Sequence, residues 1–481
     1  MLTRGDWNRW RGGRISDSLH SGLLNEGRDG GFGRSRKLWG RAAAQKGRQL
    51  LERMVLRRTV TIKRLGDDEA GEKAVGRFLR NERVSEAALI AAAKTHVLAQ
   101  VAGRRVLAIQ DTSEINFSQH ERGKAAFGRG GNGVDPAFFI HPVLVVDADS
   151  GVVLGLLDVQ LWERHGPAAK QAGRTTDEKE SRRWLAGATA AASLRAAGAT
   201  AVSVVADREG DLYPAFARRP AAVELLVRAQ TERGLADGGR LFEHLDGLPI
   251  ADRFALDLPA VPGRAARRAT MVVRHGPVTL ARPHRNTDRD LQESVALHAL
   301  DVRECDPPAG VVPVHWRLLS SAPIDTVAQA HQAIADYRRR WHIEQLFRTL
   351  KSQGLGLEES QVETPQVLRK LAIIALRGAV VCMQLVHARH GADPRPATAA
   401  FQAEDIAVLE AIAPTVDGKT DRLRNPFVAR SLSWAAWIIA RLGGWHGARN
   451  AKPPGPITMH RGLQCFHQIA RGFRLKDVST P

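Results

Sequence analysis

The chain has 481 residues, with 70 Lys and Arg against 51 Asp and Glu, a formal charge of +19 and a pI near 10.7. That length allows two or three domains with large cores, and that charge suits a polyanion, because every phosphate neutralised releases counterions. Three scattered cysteines (Cys305, Cys382, Cys465) make no metal-ligand pattern or disulfide framework, MLTRGDWNRWRGGR has no apolar signal core, and no Walker-type phosphate loop occurs. The apolar run near 371–386, broken by Arg377 and Gln384, reads as too short to span a bilayer, so a cytoplasmic protein without a membrane partner is expected.

Residues 1–85 are rich in Arg, Lys and Gly, with helical patterns at about 39–56 and 70–81. The stretch GFGRSRKLWGRAAAQKGRQLLERMVLRR sets cations beside a modest apolar stripe, either a solvated face or a phosphate-contacting one. From 104 the period changes. RRVLAIQDTSEINFS gives a buried strand ending at Asp111, and AFFIHPVLVVDADSGVVLGLLDVQLW gives two strands joined at Asp149-Ser150-Gly151. An alanine-rich helix at 178–198 closes at Gly198, ATAVSVVADREGD is a buried strand ending at Asp207, and VELLVRAQ at 223–230 is another. Between about 231 and 318, short β-like pieces alternate with turns at DGG, PGR, HGP and DPPAG around the basic tract GRAARR. After 355 the chain reads as mostly helical, with apolar positions such as Trp434, Trp437, Ile438 and Ile439 beyond the catalytic core, either a dimer face or folded back onto their own core.

The stretch 336–355, DYRRRWHIEQLFRTLKSQGL, has no Pro and no Gly before Gly354, and reads as one helix with two faces. Ile343, Leu346, Phe347 and Leu350 form a core-facing stripe about 100° wide. Tyr337, Arg340, Trp341, Glu344, Arg348 and Lys351 share the adjoining arc, one carboxylate among cations with two aromatics. His141 and His165 lack ligand-spaced partners, so both read as structural or solvent-facing.

Tyr337, Arg340, Glu344 and Lys351 fit a Y-x2-R-x3-E-x6-K spacing, and upstream Asp111 stands in a D-T motif and Asp207 in a D-R-E motif. On these motifs the chain resembles the DDE transposases of the insertion-sequence-four family. The resemblance extends to EKAVGRFLRNERVSEAALI and PPGPITMHRG and spans nearly the full length. It implies an α/β fold with an RNase H-like catalytic core and a β-rich insertion, flanked by helical N-terminal DNA-binding and C-terminal domains. The expected division is 1–85 for binding DNA ends, 86–385 for catalysis with the insertion at about 231–318, and 386–481 for dimerisation.

The resemblance also implies a bacterial cut-and-paste enzyme of a mobile element, nucleoid-associated when bound, that acts on transposon ends and target DNA. Its steps are nicking by water, hairpin formation by the freed 3′-hydroxyl, hairpin opening and strand transfer, in a paired-end homodimer. Asp111, Asp207 and Glu344 become catalytic, metal-binding carboxylates. Three carboxylates brought together repel one another, so a cation is implied: two Mg²⁺ ions, with Mn²⁺ as a substitute. Tyr337, Arg340 and Lys351 become contacts to the cleaved strand, and Trp316, in VHWRLLSS, becomes the stacking platform for a flipped base. Arg228 is either an active-site arginine or a structural ion-pair partner, and Trp341 either wedges into the DNA or simply packs. The competing readings are an inactive DNA-binding relic or repressor of transposition, and a metal-dependent nuclease that only hydrolyses.

Overall fold

The computed structural model describes residues 41–478 except 67, 121–122, 166–179, 259–264, 285, 287, 289, 352–353, 390, 392–394 and 448–452. The basic stretch before residue 41, and parts of the GRAARR, GADPRP and NAKPPGP tracts, lie outside the described residues. In chain order the elements are α1 (Arg41–Arg57), α2 (Ile62–Leu65), α3 (Glu69–Arg80), α4 (Glu86–Leu98), β1 (Arg105–Gln110), β2 (Ser113–Asn116), β3 (Gly128–Arg129), β4 (Pro136–Asp147) and β5 (Val153–Trp162). There follow α5 (Arg182–Ala196), β6 (Ala201–Ala206), α6 (Tyr213–Ala217), β7 (Glu224–Arg228), α7 (Leu241–Gly247), β8 (Asp252–Leu258), β9 (Arg267–Ala281), β10 (Ser294–Cys305) and β11 (His315–Ser320). The rest is helical: α8 (Val327–Arg338), α9 (Trp341–Leu350), α10 (Pro365–Ala388), α11 (Ala403–Val416), α12 (Leu432–Leu442) and α13 (Pro456–Val478).

These elements form two compact units, and the division passes through α5, β6 and the start of α9. The described residues of the first unit are 180–192 and 203–341, and those of the second are 41–165, 193–202 and 342–478.

In the first unit β6 runs parallel to β7, with Ser203 opposite Glu224 and Ala206 opposite Val227. An antiparallel series continues through β11, β10, β9 and β8. The β-rich character expected for 231–318 is present, but in fewer and longer strands. HGP is not a turn: Gly276 and Pro277 lie inside β9, opposite Ala299 and His298 of β10. The β8 ladder stops at Val273, so Pro277, which lacks an N–H, stands where β9 is no longer flanked by β8.

In the second unit β4 is the spine. β5 pairs with it antiparallel, and β1 and β2 pair with it in one continuous register, Gln110 opposite Val143 and Ser113 opposite Ile140. The turn between β4 and β5 is tied by Asp147, whose carboxylate accepts from the N–H groups of Asp149 and Ser150, with Gly151 at φ 74°. Helix α10 packs against α1, α4, α13, α12 and β5. At 24 residues it is longer than the 371–386 run and long and apolar enough to cross a membrane, but 78% of its most apolar stretch is buried within the protein. Trp434, Trp437, Ile438 and Ile439 fold back onto their own core, buried beside Leu385, Leu409, Leu463 and Phe466.

The stretch 336–355 is not one helix. α8 ends at Arg338, Arg339 and Arg340 form a turn, and α9 begins at Trp341. The N–H of Arg340 donates to the Tyr337 carbonyl at 3.0 Å, a tightened three-residue bond in place of the α-helical one. No helix breaker stands in DYRRRW, so contacts elsewhere in the fold override propensity here. The apolar stripe survives on α9, where Ile343, Leu346, Phe347 and Leu350 are buried. Gly354 then closes the helix, since a Cβ there would lie 1.7 Å from the Thr349 carbonyl oxygen.

Candidate active site

Asp207 follows β6 and opens a short 3-10 turn, Arg208–Gly210, that needs its glycine: a Cβ on Gly210 would lie 2.6 Å from that of Ala206 and 3.1 Å from the Trp184 ring. The other end of the motif is anchored by Asp211, a buried carboxylate that accepts from the Gln230 N–H at 2.8 Å and pairs with Arg233 at 2.7 Å. The strand end is thereby fixed, and the Asp207 carboxylate stands about one-third exposed, at 30%.

Three expected site residues turn to that carboxylate. Tyr337 donates its hydroxyl to Oδ1 at 3.2 Å, Arg340 brings Nη2 to 3.6 Å from Oδ2, and Arg228 brings Nη1 to 3.9 Å from Oδ1. Tyr337 is buried, and that burial, then the charge of Asp207, push its phenol up to about 12, so it remains a donor. In this arrangement Tyr337 supports Asp207. Arg228 Nη2 also donates to the His315 carbonyl at 2.9 Å.

Trp316 and Trp341 line one open cavity of about 190 Å³ with Tyr337, Arg228, Arg338, Arg340 and the β8 residues Leu256, Asp257 and Leu258. The rings of Trp316 and Tyr337 are 6.0 Å apart and tilted by 58°. The strand presenting Trp316 is braced through its neighbours. The fully buried Asp301 meets His315 Nε2 at 2.5 Å, Arg317 Nε at 3.3 Å and Arg274 Nη1 at 3.6 Å. Burial alone would raise the Asp301 carboxyl, but the His315 hydrogen bond and the charges of His315, Arg303 and Arg317 hold it below its ordinary value. The aromatic rings, two leucines and three guanidiniums, which outnumber the one lining carboxylate, Asp257, suit a flat ring attached to phosphate.

In the second unit, Asp111 and Thr112 interrupt the β1–β2 path where β4 carries His141 and Pro142. Asp111 Oδ1 accepts from the Thr112 N–H at 2.8 Å. His141, which the sequence reading set aside, is fully buried and bonds both neighbours of Asp111: Nδ1 lies 2.9 Å from Thr112 Oγ1 and Nε2 lies 3.2 Å from Gln110 Oε1. Spacing alone does not reveal that role; the strand register does.

Glu344 sits in the first turn of α9, where the helix dipole favours a carboxylate. Lys351 follows α9; its ammonium donates to the Glu114 carbonyl and lies 3.3 Å from Glu358 Oε1. Asp207, Arg228, Trp316, Tyr337, Arg340 and Trp341 thus belong to the first unit, and Asp111, Glu344 and Lys351 to the second. Among the described residues, no three His, Cys, Asp or Glu side chains gather as a metal-holding group. The three carboxylates are nonetheless of the right kind, hard oxygen donors, and Asp207 already collects two cationic groups where a metal would supply the charge.

A family model described as the transposase DDE domain matches residues 120–379, more than half the chain. The matched span starts downstream of Asp111 and includes Asp207, Trp316, Tyr337, Arg340, Glu344 and Lys351.

Proposed function

We propose that this chain, which belongs to the transposase DDE domain family and is a DNA-acting transposase, moves its element by cut and paste. The observation that carries this reading is the convergence of Tyr337 and Arg340, two signature residues, on Asp207. The mixed α/β architecture is compatible with an RNase H-like core. Closer kinship to the insertion-sequence-four family, and within it to the transposon-five transposase, belongs to this proposal.

Asp111, Asp207 and Glu344 would hold two Mg²⁺ or Mn²⁺ ions, which when bound supply an activated oxygen nucleophile and stabilise the departing oxyanion. Tyr337 orients the Asp207 carboxylate by a hydrogen bond from its hydroxyl. Arg228 and Arg340 bring fixed positive charge to that carboxylate, and the same guanidiniums can clamp phosphates of the cleaved strand. Trp316 holds an extruded base in the cavity it shares with Trp341 while the strand turns back on itself as a hairpin. Residues 1–85 read the transposon end, and residues 386–481 pair two protomers.

A plasmid carrying the gene with its native flanks, incubated with the purified chain and Mg²⁺, tests the proposal. Excised fragments with covalently closed ends on a denaturing gel are the expected product. Nicked circles that never progress to excision would count for a simple nuclease.

A further inference from the structure

We propose that Glu358 competes with DNA for Lys351, its carboxylate holding the ammonium against the end of β2 until a DNA phosphate takes its place. The inference rests on the reading of Lys351 as a contact to the cleaved strand. Glu358 lies in the short 3-10 turn Leu357–Glu359, whose entry is fixed by Gly356 in the left-handed region at φ 65°. Its Oε1 lies 3.3 Å from Lys351 Nζ and accepts the Asn116 N–H at 3.2 Å. Lys351 also donates to the carbonyl of Glu114, so both residues grip the same short strand. The loop that carries Glu358 is pinned further on by Lys124, a buried ammonium that donates to the carbonyls of Ser360 and Val362 beneath Phe117 and Phe127.

Both partners of the ion pair are about one-quarter to one-third exposed. A pair so placed is weak and exchangeable in water. A phosphate offers the same ammonium a stronger acceptor plus the entropy of released counterions. Glu358 therefore occupies the Lys351 ammonium in the absence of DNA, and its charge opposes the phosphate that replaces it. Glu359, its neighbour on the same turn, is exposed and makes no ion pair with Lys351.

The test is fluorescence anisotropy with a short mixed-sequence DNA duplex at low salt. Glu358→Gln keeps an oxygen for the Asn116 N–H and removes the charge. It should bind about 2- to 5-fold tighter than wild type, the range of a released surface pair. Lys351→Gln should bind more weakly, and K351Q/E358Q should match K351Q. Glu359→Gln should give no comparable gain, and thermal melting without DNA confirms that each variant is folded. If K351Q weakens binding but E358Q does not tighten it, or E359Q tightens it equally, the competing role is wrong. If K351Q binds as wild type does, the reading of Lys351 as a DNA contact fails first.

Discussion

Tyr337 donates its hydroxyl to Asp207 Oδ1 over 3.2 Å, from the last turn of α8 to the end of β6. Hydrogen bonds to charged groups contribute about 1.5–3 kcal/mol, so Tyr337→Phe should slow DNA cleavage by about 10- to 100-fold. Stability should report the same residue. The folded phenol is pushed up to about 12, above the unfolded value near 10. Its contribution is therefore complete below about pH 10 and lost as pH rises toward 12. Melting temperatures across that window should fall less steeply for Y337F than for wild type.

His141 holds Gln110 and Thr112, the two residues that flank Asp111. His141→Ala leaves buried polar atoms without their partner and should cost about 1–3 kcal/mol in denaturant unfolding. Cleavage per folded molecule should fall by more than stability does, because a carboxylate misplaced by about 1 Å costs on the order of 100-fold. Loss of stability with unchanged cleavage would leave His141 a packing residue.

What the sequence disclosed follows from which forces act locally. The buried runs VLAI and VSVVA mark strands by composition alone, so Asp111 and Asp207 were legible as strand-end carboxylates. The stripe from Ile343 to Leu350 was legible for the same reason. The break at Arg339–Arg340 was not, because three consecutive arginines favour helix and the turn answers to contacts such as Asp207, distant in sequence. HGP looked like a turn because Gly and Pro usually punctuate, whereas Pro277 sits where β8 has ended. The burial of Trp434 and Trp437 was not legible because their own helix pattern does not say which neighbouring helices cover them. His141 and Glu358 gained their roles from strand register and loop closure, which no residue spacing encodes.

Lys73, Arg77 and Arg80 form an exposed basic row on α3, with exposed Lys63 and Arg64 on the preceding α2. If residues 1–85 read the transposon end, replacing the three α3 cations by Ala should lower affinity for duplex DNA. The slope of log affinity against log salt should also flatten by about 0.9 for each phosphate that the variant no longer neutralises. Gel shifts across a salt series measure both. An unchanged slope would place recognition elsewhere.

Trp316 can be separated from the carboxylates. Trp316→Ala should leave the first nick near normal and slow hairpin formation by about 10- to 100-fold, as expected from losing about 1–3 kcal/mol of base stacking. An abasic site at the flipped position should partly rescue the variant, since no base then needs holding. Equal slowing of both steps would make Trp316 a packing residue of the β11 face.

The most direct test compares nicking and binding for Asp111→Asn, Asp207→Asn and Glu344→Gln, one at a time, on a duplex carrying the element's end, with Mg²⁺ present. Each substitution keeps the side chain's size and removes one charged oxygen ligand. All three variants should lose nicking beyond detection while their end affinity stays within about 3-fold of wild type, a change of under 1 kcal/mol. Nicking at the wild-type rate by any one of them would contradict a single metal site built from Asp111, Asp207 and Glu344.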